Sequence, residues 1–215
     1  MKIKIKYFNL NKKYFNRNSF VLLGGILGLF SILLYYIYPP LGSWWYLTWE
    51  IFKGQFDIYI NAFGYNGDKQ ILESNSIYVG FLIIIGSILA IIGGIKKSMI
   101  LSFISSIIML IGIGIFFNIV LNSNELNHLA QKYDISSIKG TKVLYGYLNH
   151  HYWGLGLGFY LGLIAALLIF TISLVSIVKA LYQQQKEKQI NNLKLIDKLA
   201  KEDKNQIIKS KNLIK

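Results

Sequence analysis

Four stretches of this chain contain no Asp, Glu, Lys, Arg or His: Phe20–Tyr38, Ile77–Ile95, Met99–Leu121 and Tyr152–Val178. Each is at least 19 residues long, and about 20 apolar residues cross the roughly 30 Å hydrocarbon core of a bilayer. A helix in a soluble core keeps a charged face toward water, and these runs have none. The sequence predicts an all-α membrane protein with four transmembrane helices, at about 20–38, 77–95, 99–121 and 152–178, packed as an antiparallel bundle. The loops 39–76 and 122–151 are expected to form a small β-containing cap.

Charge sets the expected orientation. Residues 1–19 carry six basic side chains, the 96–98 turn two, and residues 179–215 ten, against five in the two long loops. This bias puts the basic arm (1–19), the short turn and the basic tail (179–215) in the cytoplasm and both long loops outside a cell membrane. The net charge of +13 then belongs mostly to the cytoplasmic side, and nucleic-acid binding is not needed to explain it. The first apolar run is longer than the 7–15 residues of a signal peptide, and no small-x-small cleavage site follows it. It is expected to stay as a signal anchor.

Just beyond that run comes GSWWYLTWEIFKGQ, residues 42–55, preceded by Pro39-Pro40, the only prolines in the chain. Indole and phenol rings have an apolar body and a polar tip, and they favour the headgroup level. Trp44, Trp45 and Trp49 are therefore expected to form a membrane-interface belt, with Tyr152 and Trp153 at the same depth.

Within the first loop, Phe52, Phe56 and Ile58–Ile60 have strand character and Gly64–Asp68 is a turn signal. In the second, Ser123 is expected to cap a short helix through about Lys132, and Lys142–Leu148 to form a strand, with strands from the two loops pairing. The order of elements resembles, in topology alone, the claudin and tetraspan classes of four-helix membrane proteins. The claudin first loop carries Gly-Leu-Trp and a cysteine pair. Gly42-Ser43-Trp44 is what stands here, and the chain has no cysteine.

Small residues recur in steps of four: Gly154, Gly158, Gly162 and Ala166; Gly86, Ala90 and Gly94; and Gly24 and Gly28. Such ridges lie on one helix face and permit close backbone approach where lipid removes the hydrophobic drive. They are expected to pack helices together, or to bind other membrane subunits or a second copy.

Chemistry is sparse. GLGLGFYLG lacks the dinucleotide-binding spacing, a preceding strand and the later acidic residue. The four runs hold no Asp, Glu, His, Lys or Arg, whereas proton relays, pumps and intramembrane proteases need such groups within the membrane. All three histidines lie in the second loop, so Glu125, His128 and either His150 or His151 are candidate metal ligands. No cofactor is implied. The tail is expected to be a basic, amphipathic helix on anionic inner-leaflet lipid. The leading functional expectation is a non-enzymatic accessory, scaffold or assembly subunit of a membrane complex. The alternatives are an outer-face metal-binding protein or metalloenzyme and a neutral-solute channel or carrier.

Orientation is directly testable. Protease added to intact cells is expected to spare 179–215 and to cut, if anywhere, within 39–76 or 122–151. Removal of the tail from outside, with both loops intact, would reverse the orientation.

Overall fold

The structure is a computed structural model. It describes the backbone of residues 2–49, 57–133, 135, 138, 140–148 and 150–212, and the side chains of 17–48, 57–133, 135, 138, 140–148, 150–193 and 196. Phe52 and Phe56 fall outside the described residues, as does the side chain of Trp49.

Four helices are long and apolar enough to cross a membrane. They are α1 (Lys2–Ile37), α3 (Ser76–Ile95), α4 (Met99–Asn122) and α6 (Leu157–Asn212). Each leaves an apolar stripe exposed, such as Phe20, Leu23, Ile26, Phe30 and Leu33 on α1, and Ile100, Ile104, Ile107 and Ile111 on α4. This is the surface a helix offers to lipid. The prolines open a four-residue helix, α2 (Pro39–Gly42), where their missing N–H groups cost nothing. Three residues join α3 to α4. Lys97 takes a φ of 56° there, and the Ser98 hydroxyl accepts from the Leu101 amide to cap α4. Ser123 caps α5 (Asn124–Lys132) in the expected way, accepting from Leu126 N at 3.1 Å.

A four-stranded antiparallel sheet takes one hairpin's worth of chain from each long loop. Its strands are β1 (Trp45–Trp49), β2 (Ile58–Ile60), β5 (Tyr145–Leu148) and β6 (His151–Leu155), in the order β2-β1-β6-β5. The two halves are joined by β1 and β6, with Trp45 opposite Leu155 and Trp49 opposite His151. A separate short hairpin pairs β3 (Tyr65–Asn66) with β4 (Lys69–Gln70). A 3-10 turn, Gly140–Val143, precedes β5.

The fourth long helix begins later than expected. Tyr152, Trp153 and Gly154 lie in β6, and α6 starts at Leu157. Gly154 faces Tyr46 and Tyr145 across the strands. A Cβ there would stand 2.9 Å from the Leu144 carbonyl. The strand-to-helix junction is bolted to the chain after α2. Gly156 N donates to Trp44 O, and Gly158 N to Ser43 O, both at 3.0 Å. These bonds divide the GLGLG run between two elements.

The small-residue ridges are used inside the chain. A Cβ on Gly158 would strike the Gly42 carbonyl and stand 2.7 Å from Trp44 Cδ1 and 3.0 Å from Ser31 O. On Gly162 it would meet the Trp44 ring at 3.2 Å, on Gly24 the Ala165 carbonyl at 3.3 Å, and on Gly94 the Asn18 carbonyl at 3.2 Å. Gly28 faces Ser87 and Met109, and Gly86 faces Met109 and the Ser105 carbonyl. Ala90 and Ala166 are fully buried. The ridge faces, expected to pack helices together or to bind another subunit, are at these positions occupied by this chain's own α1, α3, α4, α6 and Trp44.

The chain divides into two compact units, Met1–Leu174 and Val175–Lys215. The second consists of the remainder of α6 as far as it is described, exposed throughout 178–193.

Two substitutions check this packing. Gly158→Ala should lower stability by about 1–3 kcal/mol, because backbone carbonyls stand where the methyl must go. Nothing lies within 4 Å of a Cβ on Gly114, so Gly114→Ala should be neutral or stabilising by up to about 1 kcal/mol. Thermal unfolding in detergent reads both, and equal effects at the two sites would refute the assignment.

Candidate functional site

At the sheet end of the helices, three indole N–H groups find backbone carbonyls. Trp44 Nε1 donates to Ser31 O at 3.1 Å, Trp45 Nε1 to Val143 O at 2.9 Å and Trp153 Nε1 to Lys142 O at 2.7 Å. Trp44 and Trp45 are wholly buried and Trp153 nearly so. At these positions of the expected belt the three rings face protein. Tyr152 is half-buried, its ring against Tyr147 with centroids 4.5 Å apart.

A carboxylate ties the two strands of the first loop. Asp57 accepts from Thr48 Oγ1 at 2.6 Å on one oxygen and from Tyr59 Oη at 2.8 Å on the other. Burial, then the hydrogen bond to Asp57 and its charge, push the Tyr59 phenol up to about 12.

Below the short hairpin lies an open cleft of about 420 Å3. Its helical walls are Tyr36 at the end of α1, and Ile77 and Phe81 on the first turns of α3. The loop supplies Asn61, Phe63, Tyr65, Gly67 and Asp68. Local chemistry fixes this loop. Asn61 Oδ1 accepts from the amides of Phe63 (2.9 Å) and Tyr65 (3.0 Å), the local bonding that suits Asn to turns. Gly67, at a φ of +57°, opens the two-residue turn between β3 and β4. Its amide donates to Tyr35 Oη, which in turn donates to Tyr59 O, both at 2.9 Å.

Phe63 is held on three sides. The Ser76 hydroxyl donates to its carbonyl at 2.9 Å, and its ring lies over Gly80, where any Cβ would collide with it. Phe81 meets it edge to face, with centroids 5.7 Å apart and planes at 81°. The result is a rigid aromatic corner beside Asn61, which is 3% exposed. Among the described residues the Asn61 amide nitrogen has no hydrogen-bond partner, and the exposed Asp68 carboxylate has neither hydrogen bond nor ion pair. Asn61 and Asp68 went unnoticed as site residues because only the fold sets them beside Tyr36 and Phe81. The Gly64–Asp68 turn signal was the available clue.

The candidate metal ligands are not brought together. Among the described residues no three His, Cys, Asp or Glu side chains form a metal-holding group. Glu125 sits in the first turn of α5 and accepts from the Ser123 hydroxyl at 2.9 Å. His128 is exposed on the same helix. His150 occupies the β5–β6 turn at a φ of 65°. His151 is buried, its ring 6.0 Å from that of Tyr133. Neighbours at a turn and on a strand point apart, which separates the pair.

No protein-family model matches the chain, and no curated protein matches its sequence.

The Tyr59 clamp gives a pH signature. A phenol whose folded pKa lies above its ordinary value of 10 stabilises the fold fully below pH 10, and that contribution is lost as pH rises toward 12. Alkaline titration followed by tryptophan fluorescence should show an unfolding component in this window. Tyr59→Phe should remove it, and an unaltered alkaline transition in the variant would sink the assignment.

Proposed function

We propose that the chain is a multi-pass protein of the cell membrane whose four long helices form an antiparallel bundle with both termini cytoplasmic. In this reading it serves as a non-enzymatic accessory or scaffold subunit. The observation that carries it is how the polar groups of the long helices are used. Ser31 donates to Gly28 O, Ser102 to Ser98 O, Ser105 to Ser102 O, Ser106 to Phe103 O and Thr171 to Leu167 O. Each of these hydroxyls turns back onto its own helix instead of lining a shared path, while Ser87 on α3 reaches Met109 Sδ on α4, and the spaces between helices hold small-residue contacts. Such an interior suits a rigid support and offers little to a coupled transporter or an intramembrane hydrolase.

A partner in this reading uses surfaces left over from internal packing. Strand β5 is an edge of the sheet, with Tyr145 72% and Tyr147 52% exposed. Unpaired edges bearing aromatic rings accept added strands. In the proposed topology Lys179, Lys186 and Lys188 begin a basic cytoplasmic segment that would favour anionic lipid, each lysine contributing about 1 kcal/mol near the surface.

Native mass spectrometry after mild solubilisation tests the role. The expected result is a hetero- or homo-oligomer that Tyr145→Glu with Tyr147→Glu dissociates. A monomer, or an assembly indifferent to both changes, would argue against a scaffold.

A further inference from the structure

We propose that the cleft bounded by Tyr36, Phe63, Tyr65, Phe81, Asn61 and Asp68 binds the headgroup of a membrane lipid carrying an organic ammonium on a phosphodiester. The inference rests on the membrane-spanning part of the reading above and is independent of the scaffold role.

The sign of the ligand follows from the lining. Among the described residues Asp68 is the one charged side chain lining the cleft, and none of them neutralises it. Lys69, its neighbour, is not part of the lining. A carboxylate beside aromatic faces is the arrangement that attracts an ammonium group, through its charge and the ring quadrupoles. Phe63 and Phe81, with ring planes at 81°, both line the cleft. Gly80 and the Ser76 hydrogen bond hold Phe63 there in advance, so little ordering accompanies binding.

Asn61 adds the second half of the headgroup. Its oxygen is committed to two backbone amides, which fixes the orientation of the amide and turns its N–H donors away from them. The side chain is 97% buried (3% exposed) and lines the cleft. A donor left in that position suits a phosphate oxygen of the same headgroup.

Placement distinguishes a lipid from a free metabolite. Tyr36 and Phe81 are 64% and 53% exposed and sit at the sheet-side ends of two membrane-length helices. Their stripes continue along Leu33 on α1 and Ile85 on α3. A ligand with an acyl chain covers both the cleft and these stripes, and a soluble headgroup covers only the cleft. The volume of about 420 Å3 accommodates a headgroup and its glycerol link.

The test reconstitutes the full chain in vesicles of equal phosphatidylethanolamine and phosphatidylglycerol, extracts it gently and counts retained lipids by native mass spectrometry. The wild type should retain the ethanolamine lipid over the glycerol lipid by about fivefold, the scale of a partly exposed ammonium–aromatic contact. Asp68→Asn, with thermal unfolding unchanged, and Phe81→Ala should bring the ratio toward one, while Lys69→Gln should leave it intact. Equal retention by the wild type, or a preserved preference in Asp68→Asn, overturns the proposal. Free phosphoethanolamine should compete only weakly. If it binds as tightly as the lipid, the acyl contacts contribute nothing and a lipid occupant is excluded. Flotation with vesicles of phosphatidylglycerol alone reports membrane insertion separately. Failure there overturns the membrane reading, whereas flotation without headgroup preference overturns this proposal alone.

Discussion

Burial of the Trp44 indole is the interaction on which the rest of the fold depends. The ring lies 5.1 Å from Phe116 and 5.8 Å from Phe159, edge to face with both, and against Gly158 and Gly162. Its N–H reaches the Ser31 carbonyl on α1. One side chain therefore touches α1, α4 and α6. Its backbone does as much. Trp44 N donates to Ile60 O at 2.7 Å and Trp44 O accepts from Gly156 N, so the same residue starts the sheet on both sides. The glycines of α6 follow from this demand. An indole of that size fits only where the facing helix has no side chains, and any Cβ on Gly158 would meet backbone that cannot move aside.

From that anchor the sheet and helices constrain one another. Because β1 pairs with β6, the segment after the first long helix is held beside the segment before the last. The bonds at Gly156 and Gly158 fix where α6 begins. Trp45 and Trp153 then draw the 3-10 turn at Gly140–Val143 beneath the strands through hydrogen bonds to Val143 and Lys142. Buried indoles without such partners would each leave a polar N–H unsatisfied, at about 1–3 kcal/mol. Here all three are satisfied, one by a carbonyl of α1 and two by carbonyls of the 3-10 turn.

Much of this was legible in the sequence, and the exceptions have physical causes. Uncharged runs of 19 residues or more admit few conformations, so the four long helices, the tight turn at 96–98 and the Ser123 cap could be read directly. Strand character around Ile58–Ile60 and Tyr145–Leu148 was legible from composition, but these are the outer strands of the sheet, and the pairing between the loops runs through β1 and β6, which were read as an aromatic belt and as helix. The direction of Trp44 and Trp45 was not legible. In a segment where nearly every neighbour is apolar, periodicity does not say which way a ring points, and an indole's preference for interfaces competes with its capacity to fill a core. The assignment of 152–155 to helix failed for a related reason. Tyr-Trp-Gly-Leu continues without a break into an apolar helix, and a short apolar run is ambiguous between helix and buried strand. The ridges showed that close approach occurs but not with what. The histidines clustered in sequence, yet the β5–β6 turn separates them in space.

The cleft shows why a site can be harder to read than a fold. Its walls come from α1, the first loop and α3, and no local pattern joins Tyr36 to Asn61 or Phe81. What brings them together is Tyr35. Its hydroxyl, at the end of α1, donates to Tyr59 O and accepts from Gly67 N. That pair of bonds draws the β3–β4 hairpin against the helix end and turns the next residue, Tyr36, toward the space beneath it. Tyr35 is 5% exposed and Tyr36 64%. Adjacent tyrosines thus divide the work, one holding the loop and the other facing what the loop encloses. The same division runs through the chain's other aromatics. Rings at the sheet end that turn inward, such as Trp44, Trp45 and Trp153, satisfy carbonyls and set positions. Those left outward, such as Tyr36, Phe81, Tyr145 and Tyr147, form the exposed aromatic surface of that end. The inward set gives the outward set its rigidity, so the cleft and the β5 edge are consequences of the core that Trp44 organises.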